Sequence, residues 1–338
     1  MWSYLLRRLL LAGVTLLTIL LVSYTLLRLA PGEPARASLL GGDAPGNTGA
    51  ASAEKGGLMV NRALREKLNL DKPILTGFAL WLRGIVLHGD FGDSATVDPG
   101  RPVVDLIRER LPLTVALNVA AVLLTYLVAV PLGVCSAARA GSWGDRVGEI
   151  AVFILYSLPV MWVALLLQAL FCEGGVWPIF PLRGGLPENA LRLSIWELQW
   201  EILRSSLLPV LCLAYGGFAG LSRYARGSML EVIHGDFVRT ARAKGVPEYR
   251  ILWGHVFPNG LIPLITLFGG LLPGLIAGSV IVEYVFNLPG MGTLSLASLT
   301  SRDYPLQMAL FSFAGALTLA GLLIADLCYC AADPRVKL

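Results

Sequence analysis

The chain has 338 residues, 55% of them hydrophobic and only 15% charged, with a mean hydropathy of +0.68. Soluble domains run at roughly 45–50% apolar and about 25% charged, so the composition argues against a soluble globular fold and for an all-α polytopic membrane protein. The formal net charge of +4 is too small to suggest a nucleic-acid partner.

The first apolar run, Leu9 to Leu27, holds no charged residue and is long enough to cross a bilayer as a helix of roughly 20 residues. Arg7 and Arg8 precede it, and it ends in Arg28-Leu29-Ala30-Pro31-Gly32. Its length and flanks fit an uncleaved span within residues 1–30 rather than a removed signal peptide. Residues 31–110 form a more polar extracytoplasmic segment. It opens with a Gly/Ala/Ser-rich piece and continues through NRALREKLNLDKP, a short helical pattern that stops at Pro73. Trp81 and Phe91 are placed to pack this segment onto apolar helices.

Residues 111–338 hold five further runs: Leu113–Ala138, Val147–Phe171 interrupted by Pro159, a core at Leu207–Leu221, Leu261–Phe286, and Met308–Cys330. Six spans with both termini in the cytoplasm place Arg7, Arg8, Arg139, Arg146, Arg223, Arg226, Arg239, Arg242, Lys244, Arg250, Arg335 and Lys337 inside. Only Arg183, Arg192, Arg204 and Arg302 then fall in short outside loops. The five cysteines read as small apolar residues, and Cys328-x-Cys330 is too weak a pattern for a metal site.

One inside loop, residues 222–258, is longer and more basic than the others. The spacing predicts a helix from Asp236 to Lys244, with its acid near the start and its bases near the end. Gly245 supplies a left-handed stop, and Val246-Pro247-Glu248 starts a second helix. Pro258 and Pro263 are expected to break or kink the lead into the fifth span. By its residues alone this loop is either a topological connector or a docking element with a fixed basic face.

The stretch RTARAKG, with Pro258 thirteen residues beyond Gly245, resembles the cytoplasmic "EAA" loop of ABC-importer permeases. That loop runs Glu-Ala-Ala, three residues, Gly, nine residues, then Ile-x-Leu-Pro. Ala241, Gly245 and Pro258 match it; Arg239 and Thr240 replace its first two positions, and His255 and Phe257 replace Ile and Leu. The resemblance to the dipeptide/oligopeptide/nickel branch extends through APGEP, LNLDKP, HGDFGDS, ERLPLT, YSLPVMW, SRYARGSMLEV, LPGMG, RDYP and ADPRVKL. It implies a permease subunit of the bacterial inner membrane that works with a second permease, two cytoplasmic ATPase subunits and an extracytoplasmic substrate-binding protein, surrounded by lipid. Asp236, Arg239, Arg242 and Lys244 would touch the ATPase, and Gly245 would allow the turn. The turn Asn287 to Gly292 resembles a loop near the outer mouth of the pathway, which makes Glu283, Asn287, Pro289 and Gly290 gate candidates. Short peptide is the expected cargo; nickel and other small solutes share the architecture, and nothing in the sequence selects among them.

The chain has no G-x-x-x-x-G-K-[ST] sequence, so ATP is expected on partner subunits, with no cofactor or metal held here. A self-sufficient secondary transporter would want acids near the midplane, whereas Glu149, Glu283 and Asp326 fall near the ends of runs. An intramembrane protease or zinc enzyme lacks its Ser/His or HExxH residues.

Overall fold

The computed structural model describes residues 2–29, 71–182, 193–261, 263, 264, 267 and 279–332. The described residues fold almost wholly into helices, with isolated bridges at Asp93–Pro102 and Cys172–Phe180. Among the described residues four stretches are long and apolar enough to cross a membrane: Leu6–Leu29, Val103–Ala138, Ile195–Ile233 and Tyr304–Ile324. A bent pair, Trp143–Ser157 with Val160–Phe171, would make a fifth if counted as one span. Most of the fifth predicted run, Leu261–Phe286, lies outside the described residues, as do the Gly-rich piece and the carboxy-terminal tail.

Helix α1 spans Trp2–Leu29. Helix α2 (Ile74–His88) is apolar but has only 15 residues, about 22 Å of rise, short of the hydrocarbon core. Gly89, at φ 64°, closes it. Helices α3 (Val103–Ala138), α4 (Trp143–Ser157), α5 (Val160–Phe171) and α6 (Ile195–Ile233) follow. Ser142 caps α4 by accepting from Asp145 N, and Ser194 with Glu197 forms a reciprocal capping box on α6.

The run Val147–Phe171 differs from the single interrupted span expected. Its two helices meet at 93°. Leu158, the residue before Pro159, is extended, and Pro159 starts the next helix. The Leu158 carbonyl freed by the break accepts from Tyr215 Oη at 2.8 Å, so α6 stabilises the corner. Thr125, Tyr126 and Gln168 likewise donate to carbonyls of other segments, at Ala214, Leu264 and Val285. These four residues act as interhelical glue, whereas Asn118, Ser157 and Ser222 donate within their own helices.

By contact the chain divides into two units, 1–112 with 293–320, and 113–292 with 321–338. In the first, Tyr24 of α1 meets Phe78 and Trp81 of α2, with centroids at 5.7 and 6.4 Å, and Phe91 meets Phe313 at 5.1 Å. Its loop is tied by a buried carboxylate: Asp303 accepts from Ser94 Oγ at 2.5 Å, from the backbone N–H groups of Ala95, Thr96 and Val97, and from Leu306 N. Trp81 and Phe91 thus pack as the sequence suggested.

The second unit has two apolar clusters. One joins Leu117, Ala164, Leu208, Val282 and Phe286 with their neighbours. The other joins Ala129, Val134, Ala225 and Met229 to Val238, Ala241, Ile251 and Val256. Cys172 and Cys212 are buried as expected of small apolar residues, but Cys135 is exposed.

Candidate functional site

The basic loop folds as two short helical pieces, α7 (Asp236–Ala243) and α8 (Glu248–Ile251). Between them Lys244 caps α7, Gly245 takes φ +74°, and Pro247 precedes α8 in extended backbone. Gly245 N donates to Arg242 O at 3.0 Å and Val246 N to Ala241 O at 3.2 Å. This paired reversal is a Schellman cap, and Val246 packs into the same apolar cluster as Ala241. A side chain at Gly245 would meet no neighbouring atom, so the demand for glycine there is conformational rather than steric.

Beyond α8, where a break or kink was expected at Pro258, the helix continues through a widened turn. A π turn, Leu252–Val256, leads directly into α9 (Phe257–Gly260), which carries Pro258 in its first turn. The wide turn shifts the hydrogen-bond ladder, with Phe257 N donating to Leu252 O, and so accommodates the missing proline N–H. Gly260 lies against the Met229 thioether, and its carbonyl accepts from Ser228 Oγ at 2.7 Å, which seats the returning helix on α6.

Val238 and Ala241 are buried on one face of α7, while Asp236, Arg239, Thr240, Arg242, Lys244 and Gly245 are exposed. Arg239 sits 3.6 Å from Asp236, with both side chains largely in solvent. Thr240 Oγ1 donates to Asp236 O. Arg242 is engaged within the loop, since its guanidinium donates to both oxygens of Glu248, at 2.7 and 3.3 Å. That hydrogen bonding holds the Glu248 carboxyl below the usual carboxylate range and pushes Arg242 up. Arg239 and Lys244 are therefore the outward-directed bases. Sequence reading passed over Phe237, Tyr249 and Trp253, which expose 47%, 62% and 45% of their surface in the same loop. An aromatic residue on the polar side of a short amphipathic helix was the available signal.

The turn at 279–292 is built differently. Helix α10 (Val280–Val285) places Glu283 beneath the following loop, 3% exposed. Glu283 Oε1 accepts from Thr114 Oγ1 at 3.0 Å, and Thr114 Oγ1 accepts from Met291 N at 2.8 Å. Leu288 N donates to the Glu283 carbonyl. Asn287 adopts φ 49° and is exposed, as is Pro289. Gly290 is buried with its Cα against the Glu283 carboxylate, leaving no space for a Cβ. Glu283 and Gly290 thus form one packed unit, with Asn287 and Pro289 on its surface. Thr114 is the member that sequence reading did not single out. Among the described residues no group of histidines, cysteines and acids is arranged to hold a metal.

Residues 129–338 match the family described as binding-protein-dependent transport system inner membrane component, and residues 1–118 match the amino-terminal model of membrane components of such systems. The chain is 35% identical over 337 residues to the oligopeptide transport system permease protein AppB of Bacillus subtilis, covering all of both chains. It is 34% identical to the inner membrane ABC transporter permease protein YejB of Escherichia coli O157:H7, covering 99% of each. A solved structure of the MetNI methionine ABC transporter in inward-facing conformations aligns with a TM-score of 0.52 at 16% identity, over 68% of this chain and 96% of that one. That likeness speaks to the fold.

Proposed function

This chain belongs to the family of binding-protein-dependent transport system inner membrane components, and from that premise we propose that it lines the pathway of a peptide importer and takes its driving force through residues 235–260. It is a multi-pass permease subunit of an ABC importer in the bacterial inner membrane. The six-span topology with both termini inside rests on the distribution of basic residues and on the long apolar helices described above. Peptide as cargo rests on the names carried by its relatives, among them AppB.

The observation that carries the coupling role is the construction of α7. Its apolar face is anchored by Val238 and Ala241, its end is fixed by a Schellman cap at Gly245, and its other face offers Arg239 and Lys244 to solvent. A rigid, exposed, basic helix with aromatic neighbours suits docking to another protein. Two cytoplasmic ATPase subunits, a second permease and an extracytoplasmic binding protein complete the machine. ATP is bound and hydrolysed by the ATPases, so this chain needs no cofactor. Glu283, Asn287, Pro289 and Gly290 shape the outer mouth.

Co-purification in mild detergent tests the reading. The native chain should bring a second permease and Walker-motif ATPases. Gly245→Val forces a β-branched residue to positive φ, a strain of about 1–2 kcal/mol, and should release the ATPases while membrane levels stay normal. Retention of the ATPases together with normal uptake of a labelled tripeptide would overturn the coupling role.

A further inference from the structure

A polar knot lies just upstream of the loop, in the same unit. Asp145, in the first turn of α4, has its side chain 2% exposed. Its carboxylate accepts from Ser136 Oγ near the end of α3, from Gly141 N at 2.9 Å, and from Arg226 of α6 through Nε at 3.2 Å and a terminal nitrogen at 2.9 Å. The same guanidinium reaches Glu149 at 3.5 Å. Asp145 and Glu149 are four apart and share a face of α4, so one arginine of α6 grips α4 at two successive turns. Gly133 brings α3 against α6 at the same level: a Cβ there would lie 2.5 Å from Ala225 Cβ and 2.6 Å from Ser222 O.

Arg226 lies on the final turns of α6, which lead into Gly235 and α7. The apolar cluster already fastens α7 and α8 to the ends of α3 and α6. That cluster includes no residue of α4, whose outer face exposes Val147, Ile150 and Ile154. The geometry points to the Asp145–Arg226 pair as the positioning link that makes α4 follow the loop, and so delivers loop displacement to the bent pair α4–α5. This rests on the reading of residues 235–260 as the ATPase handle. A bidentate, largely buried ion pair resists both sliding and rotation, which apolar contact permits. Arg223 of α6 adds a second contact, its guanidinium 5.9 Å from the Phe153 ring of α4, and the buried pair supplies the directional part of the grip.

The test uses the complex purified with its ATPases, with spin labels on Ile150→Cys of α4 and Glu231→Cys of α6 in a background whose five native cysteines are replaced. Distances are measured without nucleotide and with ATP plus vanadate. The link predicts a narrow distance in the otherwise native chain, unchanged by nucleotide, because α4 and α6 move as one block. With Asp145→Asn or Arg226→Met the distance should shift by several ångströms or broaden on adding nucleotide, while the ATPases remain bound. Arg226→Lys, which keeps the charge but not the fork, should fall between. A variant distance that stays narrow and unchanged overturns the inference. So does a nucleotide-dependent shift in the native chain, or loss of the ATPases from the pair variants. Gly245→Val serves as the separate control: if it keeps its ATPases while the pair variants behave as expected, the handle reading fails and the α4–α6 block stands.

Discussion

The loop at 235–260 and the turn at 279–292 are both short and both rest on apolar clusters, but they use charge in opposite ways. The first rests on apolar side chains and turns its charges outward. The second adds to its apolar anchors Val282, Phe286 and Leu288 a buried carboxylate, Glu283, and turns Asn287 and Pro289 outward. A segment fastened by apolar contact can change its charges and keep its shape. A segment that also leans on one buried acid is loosened when that acid is lost, because its donor is then left without an acceptor. Charge is available for recognition in the first segment and committed to architecture in the second.

The sharpest way to break this comparison is at Glu283. Glu283→Ala removes the acceptor for Thr114 and empties the space under Gly290. It should cost about 3 kcal/mol, from truncation plus the orphaned donor. Gly290→Ala drives a methyl group into the carboxylate and should cost about 1–3 kcal/mol. Thermal unfolding of the purified complex in detergent checks both, and an unchanged midpoint for Glu283→Ala would remove the acid from its structural place.

A middle-sized effect belongs to the loop. Reversing the outward bases with Arg239→Glu and Lys244→Glu should leave stability within about 0.5 kcal/mol, since both side chains are exposed. Association with the ATPases should weaken by about tenfold, with a slower on-rate and a reduced dependence on salt. Titration of purified ATPase against the detergent-solubilised chain measures this. If binding is unchanged, the exposed aromatics Phe237 and Tyr249 carry the contact instead. Arg242 is a poorer choice for this test, because its replacement also breaks the pair with Glu248.

What was legible in the sequence follows the range of the forces involved. The loop could be read because helix starts, left-handed stops and proline positions are set by neighbouring residues. Asp236, Gly245 and Pro247 sit where those rules put them. The apolar runs could be read for the same reason. Glu283 could not be placed, since its partner Thr114 is 169 residues away. Four of the donors to Asp303, from Ser94 to Val97, lie more than 200 residues back along the chain. Pro159 announced an interruption, but the 93° corner depends on Tyr215 of another helix accepting the role of donor to Leu158. Pro258 announced a break or kink, and the disturbance takes the form of a π turn just ahead of it.

The smallest effect tests the loop's own internal pair. Arg242 holds the Glu248 carboxyl below its ordinary range, so the folded state favours the ionised acid. A carboxyl with a lowered folded pKa adds stability above its unfolded value and loses that contribution as pH falls through the folded one. Both side chains are exposed, at 43% and 69%, so solvent screens the pair and its contribution should be near the lower end for surface ion pairs. Glu248→Gln should therefore leave the unfolding midpoint at pH 7 almost unchanged. Its visible consequence should be on the turn: Gly245 and Val246 amides should exchange slightly faster in Glu248→Gln at pH 7, and the two chains should converge once acid has protonated Glu248. A large midpoint shift would mean that the loop is held by its charges after all, and the contrast with Glu283 would collapse.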